Sequence, residues 1–252
     1  MFQTIVNAFK IKEVRNKILI TIALLFVYRL GCYIPVPGVE VFNGLEDYTF
    51  LQIMSAVSGG ALTYGTFFAM GIGPYINASI IIQLLTVGIP ALERLSKQGE
   101  EGKRKINTIT RILTLVLAIA QAIGILVAFQ GSVDTSKIFG SEGFLNFLSY
   151  AFLVIVYTAG AALTMWIGER ITDHGVSNGI SLLIFSGILS TAGTAILGLF
   201  EQMGNPDTAM SAVWSLIGFL ATAVVMFAAI VLVNDAERKI PVQYAKQVKG
   251  RK

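Results

Sequence analysis

The chain has 252 residues, of which 54% are hydrophobic and only 13% charged, with a formal net charge of +4; its mean hydropathy is +0.71. A soluble domain carries about 25% charged residues, so the soluble classes are excluded and one compact membrane bundle is the natural reading. The single Cys32 rules out an intrachain disulfide framework and a cysteine-based zinc site, and the lone His174, read as an ordinary loop imidazole, cannot build a histidine metal site.

At the start of the chain, Phe2, Ile5, Val6 and Phe9 recur at helical spacing, which predicts a short helix within residues 1–17 lying at the membrane surface. Lys10, Lys12, Arg15 and Lys17 then precede the apolar run ILITIALLFVY. A cleaved signal would end in small residues, whereas this run leads into RLGCYIPVPGVE, so it is read as a retained span. A span needs about 20 mostly apolar residues. Segments 18–34, 70–90, 108–130, 144–167, 179–200 and 209–233 meet that requirement.

The intervening stretch FLQIMSAVSGGALTYGTFF, residues 50–68, is apolar but broken by Ser55, Ser58, Gly59, Gly60, Thr63, Tyr64, Gly65 and Thr66. Lys and Arg in short loops decide whether it crosses, because they stay on the cytoplasmic side. If it does not cross, 17 of the 19 cations share one face, leaving only Arg29 and Lys137 on the other. If it does cross, the dense Arg94 to Arg111 group moves outside and the cytoplasmic face keeps only the four N-terminal cations and Lys137. The segment is therefore expected to enter from the outer face and return. Irregular backbone at membrane depth survives only where protein or a water-filled cavity serves its amides, so re-entry implies a cavity. An external helix packed on the outer surface is the alternative.

No Asp, Glu, Lys or Arg lies in the central part of any of the six spans, whereas pumps and ion-coupled carriers usually bury such groups along their route. There is no Walker A sequence, no H-E-x-x-H and no G-x-S-x-G, so nucleotide hydrolysis and the common hydrolase chemistries have no foothold. No catalytic set, metal or cofactor is expected. Asn77-Ala78-Ser79 fits a glycosylation pattern but sits within the second span, where it is read as chance. The demands left are those of a passive channel: a path, a seal and a docking surface.

Four long stretches carry a family resemblance: YRLGCYIPVPGVE, SGGALTYGTFFAMGIGPYINASIIIQLLTVGIPALERLSKQGEEGKRKI, MWIGERITDHGVSNGISLLIFSGI and ERKIPVQYAKQVKGRK. In order and length they resemble the SecY family, the central subunits of the bacterial protein-conducting channel. The resemblance implies an all-α polytopic bundle of six spans plus a short re-entrant plug helix, the first half of a pseudo-symmetric fold. On that basis residues 18–200 form a five-span half with the plug at about 51–62, residues 201–233 an external loop and sixth span, and residues 234–252 the start of a cytoplasmic docking loop.

What the resemblance implies for single residues is as follows. Leu51, Ile53, Met54, Ser58, Gly59, Gly60 and Leu62 belong to the plug, whose glycines permit hinge motion. Ile76, Ile80, Ile184 and Ile188 contribute to an aliphatic pore ring; each pair is spaced i, i+4 and so shares a helix face, and such constrictions exclude ions by resisting wetting. Gln83, Thr86 and Gln121 fall near a lateral gate, either as gate polars or as ordinary packing polars. Arg238, Lys239, Lys246, Lys249, Arg251 and Lys252 suit docking to ribosomal RNA or an ATPase, with topology anchoring as the plainer reading.

The implied partners are SecE-like and SecG-like subunits, a SecA-type ATPase, the ribosome, a secretory polypeptide bearing a signal sequence, and membrane lipids. The implied location is the bacterial plasma membrane, with a cytoplasmic N-terminus. SecY-like proteins have ten spans, so a chain stopping at Lys252 is expected to be a fragment that is inactive alone. The competing class is half of a small-solute secondary transporter, which also uses broken helices.

Overall fold

The computed structural model describes residues 11–204 and 209–237. Residues 2–9, where a surface helix is expected, lie outside them. Among the described residues eight α-helices follow in order: α1 (Lys12–Gly31), α2 (Thr49–Val57), α3 (Gly73–Gly88), α4 (Pro90–Lys97), α5 (Glu100–Ala128), α6 (Gly143–His174), α7 (Gly179–Met203) and α8 (Ala209–Asn234). Extended pairing among the described residues is limited to two isolated bridges, Pro35 with Thr66 and Val39 with Val133. Two compact units divide after Ala192, so α7 leads from the first into the second, which contains α8.

By length and composition α5, α6, α7 and α8 can each cross a membrane, and α3 with α4 makes a fifth candidate bent by 101°. The remaining expected span, the first at residues 18–34, falls largely in α1, whose apolar run is flanked by Lys12, Glu13, Arg15, Lys17 and Arg29. The chain is thus an all-helical, multi-pass membrane bundle. The bend after α3 has a local cause: Pro90 opens α4, and a residue before proline is pushed out of the α region. Ile89 accordingly adopts φ −110° and ψ 114°.

The helices of the first unit meet along small residues. On α5 the buried positions Gly102, Thr110, Thr114, Ala118, Ala122 and Leu126 recur at multiples of four, one stripe of a helix face. The stripe lets α3 and α6 approach closely, as small residues do between membrane helices. Its two threonines do not bring orphaned hydroxyls into the core. Thr110 Oγ1 donates to the Ile106 carbonyl at 3.0 Å and Thr114 Oγ1 to the Thr110 carbonyl at 2.7 Å. On α6, Leu153, Tyr157, Ala161 and Thr164 line the facing stripe, and Thr164 Oγ1 donates to the Gly160 carbonyl at 2.9 Å.

The two ends of the bundle differ in chemistry. At one end Thr21 Oγ1 of α1 accepts from the Val176 amide at 3.3 Å, tying α1 to the turn between α6 and α7. Arg111 of α5 pairs with Glu169 of α6 at 2.8 Å on the same side. At the other end the loop after α1 is stitched to the loop after α5. Glu40 N donates to the Ser132 carbonyl at 2.9 Å and Asp134 N to the Gly38 carbonyl at 2.8 Å, and Lys137 bridges Glu40 at 3.0 Å and Asp134 at 3.2 Å. A hydrogen bond from Ser136 and then the Lys137 ammonium hold the Asp134 carboxyl below its ordinary range.

This stitching decides how the chain between the two loops runs. Residues 38–40 and 132–137 share an end, and only α3 and α5 run between that end and the opposite one after residue 68. The segment 50–68 therefore dips in and returns, as the cation distribution predicts. An extra crossing would put Val39 and Val133 on opposite faces.

Tyr157 links the dipping segment to the core, since its buried hydroxyl donates to the Gly65 carbonyl at 3.2 Å. Tyr157→Phe strands that carbonyl and is expected to lower stability by about 1–3 kcal/mol, read as an earlier thermal unfolding transition in detergent. An unchanged transition would show that Gly65 does not depend on this bond.

Candidate functional site

The site is built by the dipping segment and the helices it rests on. Helix α2 has nine residues, TFLQIMSAV. Its Leu51 and Met54 pack on a core made by Phe42, Leu45, Leu62, Met70, Ala122, Leu126 and Tyr157. Its opposite side, with Phe50 and Ile53, is exposed. The helix stops at Ser58, and two successive glycines with positive φ, Gly59 at +70° and Gly60 at +87°, reverse the chain. L-residues avoid that region, so the reversal has a sequence cause in SGGAL.

Inside the reversal the polar groups serve one another. Ser58 Oγ donates to the Ser55 carbonyl at 3.0 Å and accepts from the Leu62 amide at 3.3 Å, while Gly60 N donates to the Ser55 carbonyl at 2.8 Å. The Ser55 and Thr63 hydroxyls bond each other at 2.6 Å. Further along, Phe67 N reaches the Ile34 carbonyl and Phe42 N the Thr63 carbonyl, both at 2.9 Å. Thus the serines and threonines that break the apolar run are the partners an irregular backbone needs at membrane depth.

The C-terminal end of α2 rests on α7. Thr191 Oγ1 donates to the Ala56 carbonyl at 3.1 Å. The Cα of Gly187 lies against the Val57 carbonyl so closely that any side chain there would overlap it. Beside this contact Arg29 of α1 donates through Nη2 to Ser190 Oγ, and its Nη1 lies against Gly59.

Ile76 and Ile184 both lean on one cluster of Tyr28, Cys32, Phe68, Ile72 and Leu183. One turn further along their helices, Ile80 and Ile188 are 50% and 49% exposed. Ile188 directly follows Gly187, so this α7 isoleucine sits next to the rest point of α2.

Of the three polar residues considered for a sideways opening, Gln83 and Thr86 lie one turn apart on α3 and Gln121 lies on α5. Gln121 lines an apolar cleft of about 190 Å³ between α2 and α5, with Phe50, Leu51, Met54, Leu62 and Ile125. Gln83 lies ten residues into α3, about 15 Å along its axis at 1.5 Å per residue, where Thr86 Oγ1 donates to its carbonyl at 2.6 Å. Arg238, Lys239, Lys246, Lys249, Arg251 and Lys252 lie outside the described residues. Among the described residues no group of His, Cys, Asp and Glu converges on a metal position.

Reasoning from the sequence left Arg29, Gly187 and Thr191 unassigned. A signal existed for Arg29, since an isolated cation at the end of an apolar run calls for a named partner. Nothing local distinguishes Gly187 from the other glycines of the chain, because its partner is 130 residues away in sequence.

Gly187→Val forces either α2 or α7 to give way, a form of overpacking that costs about 1–3 kcal/mol. In a Cys32→Ser background with Val57→Cys as probe, it is expected to raise the rate of thiol modification at position 57 about tenfold or more in the assembled protein. An unchanged rate would show that α2 does not depend on this contact.

The SecY family model matches residues 66–252. The protein translocase subunit SecY of Lactococcus lactis subsp. cremoris is 41% identical over 256 residues, covering 99% of this chain and 57% of the relative. That of Staphylococcus epidermidis is 41% identical over 256 residues, covering 98% and 58%. The chain thus spans somewhat over half the length of these relatives. Among solved structures, Sec61 in the canine ribosome-channel complex from the endoplasmic reticulum aligns over 91% of this chain and 50% of its own, with a TM-score of 0.65 at 20% identity. A SecY whose plug domain stabilises the closed state of the translocation channel and maintains a membrane seal aligns over 94% and 50%, with a TM-score of 0.64 at 20% identity. The structural matches carry the helical fold, and the match over residues 66–252 together with 41% identity along nearly the whole chain carries the family: this chain belongs to the SecY family.

Proposed function

We propose that this chain forms one half of the wall of a protein-conducting channel in the bacterial plasma membrane, passing unfolded secretory polypeptides across and releasing membrane-protein segments sideways into lipid. The observation that carries the reading is the re-entrant helix α2, held at the rest point on α7 beside Ile188 by a serine, threonine and glycine network. A helix that enters the membrane without crossing it, and that rests on few polar ties, suits a displaceable plug.

In this reading Leu51, Met54, Ser58, Gly59, Gly60 and Leu62 seat and hinge the plug, while Ile53 on its exposed side meets the complementary half. Ile76, Ile80, Ile184 and Ile188 form this half's share of an aliphatic ring, which resists wetting when empty and parts around an extended chain. The half-exposed Ile80 and Ile188 then face the pore. Gln83, Thr86 and Gln121 line the exit toward lipid, Gln121 from the cleft it shares with the plug. The end bearing Lys12, Arg15, Lys17 and the Arg94 to Arg111 group faces the cytoplasm, together with the N-terminus. Arg238, Lys239, Lys246, Lys249, Arg251 and Lys252 dock a ribosome or a SecA-type ATPase. SecE-like and SecG-like subunits and the complementary half complete the assembly. The channel has no chemistry of its own, and the driving force comes from the docked motor.

A small-solute transporter would place a broken helix near the middle of the membrane, with its half-helix ends on a substrate. Here the break at Ile89 and Pro90 follows a complete 16-residue helix and leads into the polar α4, which does not favour that class.

A photo-crosslinking residue at Ile80 or Ile188, in the complete channel engaged by a stalled secretory chain, is expected to capture the polypeptide. Capture of lipid alone at both positions would overturn the pore assignment.

A further inference from the structure

Arg29 has no part in a topology argument that treats it as a stray cation on the outer side. Its surroundings are specific. Nη2 donates to Ser190 Oγ on α7, the guanidinium lies over the Tyr33 ring at 5.6 Å from the centroid, and Nη1 is fully buried without a hydrogen-bond partner in the protein. That buried nitrogen faces Gly59, so closely that a side chain at position 59 would run into it. Gly59 is the second residue beyond the last turn of α2. Of the carbonyls in that turn, Met54 accepts from the Ser58 amide, Ser55 from Ser58 Oγ and the Gly60 amide, and Ala56 from the Gly59 amide and Thr191 Oγ1, while the Val57 carbonyl lies against the Cα of Gly187.

The C-terminal end of a helix carries partial negative charge from its unpaired carbonyls, and a cation there stabilises the helix in place. The Ser190 bond and the Tyr33 face fix the guanidinium, so its charge is fixed in advance rather than ordered on contact. Of the groups packed around this end of α2, namely Ser190, Thr191 and Gly187 on α7, Tyr33 beyond α1 and the Gly59–Gly60 turn, Arg29 alone is charged.

We infer that Arg29 is the positioning residue of the plug: a pre-aimed cation, carried by α1 and steadied by α7, that holds the C-terminal end of α2 in the closed channel. The inference rests on the reading of α2 as a plug. It assigns to α1 a share in closure that the isoleucine ring does not have, because Arg29 acts on the stopper and leaves the width of the pore unchanged. Gly59 follows as a steric requirement, since any side chain there would push the guanidinium off the helix end.

The test is passive ion leak through the complete channel in proteoliposomes, without motor or substrate. Arg29→Gln is expected to raise the leak about threefold to thirtyfold, the range that a helix-end cation contributes to a seated helix. Arg29→Lys, which keeps the charge but not the fork, should leak to an intermediate degree. Ser190→Ala should leak slightly, in the same direction. In a channel lacking residues 49–60 all three substitutions should be silent, which a general destabilisation of the bundle would not be. If removing 49–60 raises the leak but Arg29→Gln and Ser190→Ala in the intact channel do not, the inference fails and the plug stands. If removing 49–60 leaves the leak unchanged, the plug reading itself fails. Equal increases with and without residues 49–60 would assign Arg29 to the bundle wall and overturn the inference.

Discussion

Backbone amides inside a bilayer have no water to bond, so a chain that enters and turns back must find its partners within the protein. Most of the detail between Ile34 and Gly73 follows from that constraint. The hydroxyls of Ser55, Ser58, Thr63 and Thr66 close the reversal on itself. The Tyr157 hydroxyl reaches in from α6 to the Gly65 carbonyl, and the loop after α1 supplies the Ile34 carbonyl and the Phe42 amide. The residues that make this stretch a poor spanning helix are those that let it remain at depth without crossing.

The same economy leaves the segment lightly held, as the proposed plug requires. Burial of α2 is one-sided, with Leu51 and Met54 inward and Phe50 and Ile53 exposed. Its rest on α7 consists of one threonine hydrogen bond and a glycine-to-carbonyl contact, a hold that depends on fit at short range and disappears once the helix shifts. A firmly packed span such as α6, with a buried stripe running its whole length, could not be moved so cheaply. Stability in this fold is therefore graded. The α5 and α6 core is packed along long buried stripes, and the dipping helix sits on it with one side exposed.

Much of this was legible in the sequence, for physical reasons that can be traced to particular residues. The cation distribution foretold the return of residues 50–68, because one misplaced crossing would put Arg94 to Arg111 on the wrong face, and the pairing of Val39 with Val133 agrees. Gly59 and Gly60 marked the reversal, since consecutive glycines beside a serine have few other uses in an apolar run. The bounds were less legible: α2 begins at Thr49 and ends at Val57, ahead of the 51–62 reading, and α3 starts at Gly73, three residues after Met70. The N-terminal part of residues 12–17 runs into α1 without a break, because nothing in KEVRNK interrupts a helix. The contacts of Arg29 and Gly187 were not legible, as each depends on a partner far along the chain. Gln121 shows the same limit, its neighbours in the cleft being set by how α2 lies on α5.

The central claim is that residues 50–68 return to the face from which they entered. In a Cys32→Ser background, single cysteines at Asn43, Gln98 and Ser136 can be treated with a membrane-impermeant thiol reagent from each side of sealed vesicles. The fold predicts that positions 43 and 136 react from one face and position 98 only from the other. Labelling of 43 and 136 from opposite faces would mean that the segment crosses, and would contradict the account of α2 as a helix that dips in and rests on α7.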